Sequence, residues 1–158
     1  MGRKSIKEHK NIYQQAREDL NLTRDKAEEL LQFISADRIE KIEAGKTLIR
    51  PEEVLCMAKC YKKPELTNYY CSNECPIGRK YISKIDEKEL SQITLEILGS
   101  LNSLEKIKDR LIEITVDGTI SEDELNDFSK IKDGLNDLKN TIDSLSLWFE
   151  KQESKKSA

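Results

Sequence analysis

Between residues 87 and 152 the apolar side chains step by three or four residues for almost the whole length, and few chain conformations can use that pattern. Leu90, Ile93, Ile97, Leu101, Leu104, Ile107, Leu111 and Ile114 recur at this interval. After "DGTI" (117–120) the pattern restarts with Leu125, Phe128, Ile131, Leu135, Leu138, Ile142, Leu145 and Phe149. A near-heptad period lays one narrow apolar seam along a helix, whereas a strand would alternate every second residue. Each run is roughly 28 residues, or about 40 Å of helix at 1.5 Å per residue. The spacing predicts an antiparallel helical hairpin. Two helices alone offer only a two-sided seam, so such a hairpin calls for cover from the N-terminal part of the chain or from a second copy.

Composition fits a helical chain. Of 158 residues, 36% are charged and only 6% aromatic, with six glycines, a profile of long solvated helix faces and not of a sandwich. There is no run of about 18 apolar residues, the length a spanning helix needs, and "MGRKSIKEHKNIY" lacks the apolar stretch of a secretory leader. A cytoplasmic location with reduced thiols is expected on that basis. The net charge of −3 is unevenly spread: residues 1–64 hold 14 Lys+Arg against 11 Asp+Glu, a net of +3, and residues 87–158 hold 10 against 16, a net of −6. Any contact with nucleic acid therefore belongs to the first 64 residues.

Those residues read as several short helices. Ile12, Tyr13, Ala16 and Leu20 recur at helical spacing. Thr23 is placed to cap "RDKAEELL", and Ser35 to cap "ADRIEKIEAG", whose Ile39 and Ile42 face inward. Gly45 suits the stop of that helix. Pro51 fits the first position of "PEEVLCMAKCY".

Arg17, "LNLT" (20–23), Ser35, Ile39, "IEAGK" (42–46), Pro51 and "VLCMA" (54–58) together resemble the XRE family, the lambda-repressor-like helix-turn-helix regulators, over about the first 66 residues. The resemblance implies that the Ser-capped third helix enters the major groove of double-stranded DNA. It implies a partly buried ion pair between Arg17 and Glu43 that ties the first helix to the third. Arg24, where the family usually has Gln, would meet a phosphate. Ser35, Ala36, Asp37, Arg38 and Lys41 would face the groove, Arg38 taking guanine and Lys41 a phosphate or base, with Lys46 and Arg50 flanking the backbone. "CPIG" (75–78) followed by two long helices also resembles a bacterial subgroup of these regulators. The chain departs from the family pattern in three places. "LLQFIS" is one residue longer than the usual turn and lacks its Gly, Glu28 stands where a small residue is preferred, and the third helix carries Asp37, Glu40 and Glu43. Carboxylates near phosphates oppose binding, so a helix-turn-helix scaffold that serves protein contacts instead is the alternative.

All four cysteines fall in "CMAKC" (56–60) and "YYCSNEC" (69–75). Cys56 and Cys60 are four apart on an expected helix and share a face; Cys71 and Cys75 repeat the spacing. Four thiolates could hold zinc or an iron–sulfur cluster, although CxxC knuckles are the commoner zinc pattern. The other readings are thiols packed as small hydrophobes and a redox pair at Cys71 and Cys75.

Other motifs carry less. "DGTISEDE" (117–124) matches the second half of an EF-hand loop, but Glu113 and Thr115 stand at the first and third ligand positions. A turn with a Ser121/Glu124 capping box is the simpler reading. His9 is the single histidine and has no triad partner in view. No phosphate-binding glycine motif occurs, and nothing points to an enzyme.

The expectation is an all-α chain. A helix-turn-helix DNA-binding domain spans 1–66 and a cysteine-containing connector 67–86. A hairpin at 87–152 serves dimerisation or interaction, and 153–158 is a disordered tail. The chain would act as a homodimeric transcriptional regulator, with a protein-interaction adaptor as the alternative; no cofactor is expected, and a metal or redox centre at Cys56, Cys60, Cys71 and Cys75 is an optional addition to either.

Overall fold

A computed structural model describes residues 10–156, and His9 lies outside them. Every regular element among the described residues is helical. They form two compact units: the chain up to Lys84 together with the residues from Glu150 onward, and Ile85–Phe149.

The first unit opens with four short helices, α1 (Ile12–Asp19), α2 (Arg24–Leu31), α3 (Ala36–Glu43) and α4 (Pro51–Cys60). Side chains that accept from exposed backbone N–H groups start the first three. Asn11 accepts from the Tyr13 amide at 2.8 Å, Thr23 from Lys26 and Ser35 from Arg38, both at 3.3 Å. Pro51 begins α4, and the Glu53 carboxylate reaches back to the Arg50 amide at 2.8 Å. α1, α3 and α4 end alike, with a positive-φ residue (Asn21, Gly45 and Lys62) and a bond from the following amide back to Arg17, Lys41 and Ala58 carbonyls. That closure satisfies carbonyls the helix leaves open. Tyr13, Ala16, Ala27, Leu31, Ile34, Ile39, Ile42, Val54 and Met57 fill one contiguous core.

The expected boundary at residue 66 falls inside a further helix, α5 (Glu65–Tyr69), and the expected connector is folded. Leu66 is in the core, and Tyr69 and Tyr70 pack against it. Tyr69 meets Tyr13 edge to face at 6.2 Å. A π-helical turn, Tyr70–Glu74, leads to α6 (Gly78–Tyr81). The motif "CPIG" now has a physical account. A Cβ on Gly78 would lie 2.0 Å from the Cys71 carbonyl oxygen, so only glycine lets α6 sit on the π-turn. The Gly78 amide also donates to Cys75 Sγ at 3.4 Å.

The second unit is built on α7 (Leu90–Thr115) and α8 (Leu125–Lys156). They run antiparallel: Gly134 faces Ile107 and Leu104, and Arg110 Nε pairs with Asp127 at 3.0 Å. Glu124 accepts from both the Ser121 amide and its hydroxyl in the intervening turn. The buried stripe of α8 differs from the expected seam. Ile131, Thr141, Ser144 and Leu147 are buried, while Leu135, Ile142 and Phe149 are exposed. A steady 3.5-residue count drifts off the face of a helix with 3.6 residues per turn. The expected disordered tail is helical as far as Lys156, and Lys151 pairs with Glu65 at 3.4 Å.

Candidate nucleic-acid interface

The face that the sequence singles out is made by α2, the turn 32–35 and α3. Ile39 and Ile42 bury α3 in the core, which leaves Asp37, Glu40 and Lys41 outward, Ala36 half-buried and Ser35 exposed at the entry. The turn has no glycine, and Gln32 takes its place at φ 65° and ψ −40°. The Phe33 amide donates across it to the Leu31 carbonyl at 2.8 Å. This is a γ-turn of the rare positive-φ kind, strained for a residue with a Cβ. Glu28 braces the longer turn by accepting from the Ala36 amide at 3.0 Å.

Beneath this face lies a buried charge cluster. Arg17 and Glu43 form a bidentate pair, Nε to Oε1 at 2.6 Å and Nη2 to Oε2 at 2.9 Å, with side chains only 7% and 2% exposed. Arg17 also donates to the Leu22 carbonyl. Burial works against the Arg17 charge, but the Glu43 bond and charge outweigh it and raise its pKa. The cluster ties α1 to α3.

The basic candidates are less free than the sequence suggests. Arg24 spends Nε on Glu43 at 3.0 Å and stands 3.8 Å from Glu40. Lys41 pairs with Asp37 at 2.6 Å on the open face of α3. Arg38 is the largest departure: its guanidinium turns away from a guanine-reading position. It grips Glu53 through Nε and Nη2, both at 2.8 Å, and donates to Thr47 Oγ1 and the Leu48 carbonyl. The Arg38 bond holds the Glu53 carboxyl below its usual range, against burial. Arg38 thus fixes the segment that carries Lys46 and Arg50, both exposed. Glu53 is the residue that sequence reading missed, and Glu28, named only as a departure from the family pattern, has a role at the turn that it did not foresee. "RPEE" did carry a signal for Glu53, an acid three residues after a helix start; nothing local announces a pair spanning 15 residues.

The four thiols do not assemble. Among the described residues no three His, Cys, Asp or Glu side chains gather into a group fit for a metal ion, and all four cysteines are free. Cys75 is engaged with the Gly78 amide on the π-turn. Cys56 and Cys60 stand together on α4, Sγ to Sγ 3.9 Å. Among the described residues, then, the four cysteines are not gathered as a four-thiolate zinc or iron–sulfur site would need.

Comparison with protein-family models, with curated proteins and with solved structures finds no match. No helix among the described residues is long and apolar enough to cross a membrane. The functional reading therefore rests on the arrangement of these side chains.

Proposed function

We propose that the chain is a homodimeric, DNA-binding transcriptional regulator of the XRE helix-turn-helix type, with α3 as the helix that enters the major groove. The observation that carries this reading is the pairing of α2 and α3. They are consecutive short helices, capped by Thr23 and Ser35, with α3 held inward by Ile39, Ile42 and Glu43 so that Asp37, Glu40 and Lys41 face out. Exposed helix entries present amides to phosphates, and the first turn of a groove helix reaches base edges. In this reading Ser35, Ala36 and Asp37 read bases, Asp37 accepting from a cytosine amino group. Arg24, Lys41, Lys46 and Arg50 meet phosphates. Arg38 acts through Glu53 as a positioning residue. A single domain of this size covers a half-site, so two copies bind a two-fold operator.

The test is selection from a pool of duplexes with a randomised core, using the whole chain at low salt. The proposal expects an enriched inverted repeat with half-sites about one helical turn apart. A pool that stays random after repeated rounds would overturn it.

One observation favours the adaptor reading. Arg24, Arg38 and Lys41 are each matched by a carboxylate of the same unit. A face neutralised in this way suits a protein partner, and in that case no duplex is retained even at low salt.

A further inference from the structure

Cys56 and Cys60 on α4 pack against the core of the first unit, and the same packing brings two thiols together. Cys56 and Cys60 are both half-buried, with their sulfurs 3.9 Å apart on one face of the helix. Each points at the end of α2. Cys56 Sγ lies 3.7 Å from the Leu31 carbonyl and Cys60 Sγ 3.9 Å from the Leu30 carbonyl. These are carbonyls of the last helical turn, which have no partner within their own helix. Leu31 is also the acceptor of the strained γ-turn at Gln32, the turn that leads into α3. The two S–H groups are thus weak donors on the backbone just before the turn between α2 and α3.

We propose that Cys56 and Cys60 form a redox-active dithiol that a low-molecular-weight disulfide converts to an intrahelical disulfide, releasing the α2 end and the γ-turn. The Cys60 thiolate attacks one sulfur of the reagent. A mixed disulfide forms at Cys60, and the first reagent thiolate departs and takes up a proton. Cys56 then loses its proton and attacks the Cys60 sulfur, giving the Cys56–Cys60 bond and a second reagent thiol. The protein loses two electrons and two protons, and one reagent disulfide becomes two thiols. Burial, and next the neighbouring Cys60, push the Cys56 thiol up to about 11, which disfavours Cys56 as the thiolate that attacks the reagent first. Helical neighbours four apart hold their Cβ atoms about 5–6 Å apart, wider than the 3.5–4.5 Å or so of a disulfide. The last turn of α4 must therefore shift as the bond closes, and the bond is of the readily reduced kind. A disulfide sulfur has no hydrogen to donate, so both carbonyls lose their thiol partners together.

Trypsin gives a direct test on the whole chain treated with oxidised glutathione. Lys59 lies between Cys56 and Cys60, so their disulfide joins two tryptic peptides. No Lys or Arg lies between Cys71 and Cys75, so a bond there stays within one peptide. The expected result is loss of two thiols, with the Cys56 and Cys60 peptides joined until reduced. Amide exchange over residues 31–35 should quicken roughly fivefold, the size of losing one modest hydrogen bond. The Cys56→Ser, Cys60→Ser double variant should show no reagent-dependent change in exchange. A mixed disulfide that stops at Cys60, or a bond at Cys71–Cys75 in its place, would overturn the proposal. So would a joined pair with unchanged exchange, or a reagent effect in the double variant. Both readouts are on the protein alone, so they stand or fall apart from DNA binding.

Discussion

The two units are built on opposite terms. The first packs a contiguous core in which Tyr13, Leu31, Ile34, Ile39, Met57, Tyr61 and Leu66 are almost fully buried, with a bidentate ion pair beneath its surface. The second, Ile85–Phe149, is smaller, and Ile93, Ile114, Ile131 and Leu147 are its only buried apolar side chains among the described residues. Leu95, Leu98, Leu101, Ile112, Leu135 and Ile142 stay exposed on the same two helices. The contrast shows what connectivity does to burial. Several short helices cross one another and enclose a centre, whereas two long ones share only a line. Specific, irreplaceable contacts therefore concentrate in the first unit, and substitutions there should cost more.

The chain offers its own probes for that comparison. All five tyrosines lie in the first unit and the single tryptophan, Trp148, in the second. Tyrosine and tryptophan signals followed through urea unfolding should separate, with the tryptophan transition at lower urea; coincident transitions would contradict the contrast. The largest effect is expected from Glu43→Ala. It leaves the Arg17 guanidinium buried without its carboxylate and should lower the stability read by tyrosine by about 3–5 kcal/mol. Next come two glycines that receive the same methyl group. Gly78→Ala drives a Cβ into the Cys71 backbone and should cost about 3 kcal/mol. Gly99→Ala, on α7, meets nothing within 4 Å and should stabilise the tryptophan transition by up to about 1 kcal/mol, since alanine is the better helix former. Equal effects at the two sites would break the comparison. Gln32→Gly removes a Cβ from a positive-φ position and should stabilise the first unit by about 1 kcal/mol.

The smallest effect is a matter of pH. Burial raises the Glu74 carboxyl, and the hydroxyl of Tyr13, 3.2 Å away, only partly offsets it. A raised carboxyl contributes stability that is present below its unfolded pKa, near 4.3 or so, and lost as pH rises through the folded value. Glu53 has the opposite sign: depressed by Arg38, it stabilises above the unfolded value and is lost on acidification. Glu74→Gln should therefore match the parent at acid pH and gain on it toward neutrality. A difference that does not change with pH would remove the half-buried Glu74 carboxylate from the account.

Local signals carried much of this fold in plain sight. Thr23, Ser35, Gly45 and Ser121 with Glu124 mark helix ends by chemistry that acts within four residues, and the long helices announce themselves by period. Two kinds of feature were hidden. The first is which stripe of α8 is buried. Thr141 and Ser144 take inward positions because their hydroxyls donate to the Asp137 and Asn140 carbonyls one turn back, so burial leaves no polar group unmet. A reading by apolar residues alone passes over them. The second is long-range pairing. Arg38 with Glu53 and the separation of the two cysteine pairs depend on how helices cross, which spacing along the chain does not encode. The candidate groove face was legible as a position on α3, but the commitment of its arginines was not.

The most direct test of the central claim is the salt dependence of affinity for a selected duplex, compared between the parent and a Lys41→Ala, Lys46→Ala double variant. Phosphate contacts release counterions, so affinity should fall steeply and log-linearly with salt, and each lost contact should reduce the slope by about 0.9. The account predicts a steep parent slope and a variant slope shallower by about two such steps. A slope near zero, or one unchanged in the variant, would contradict docking through α3 and leave the adaptor reading in its place.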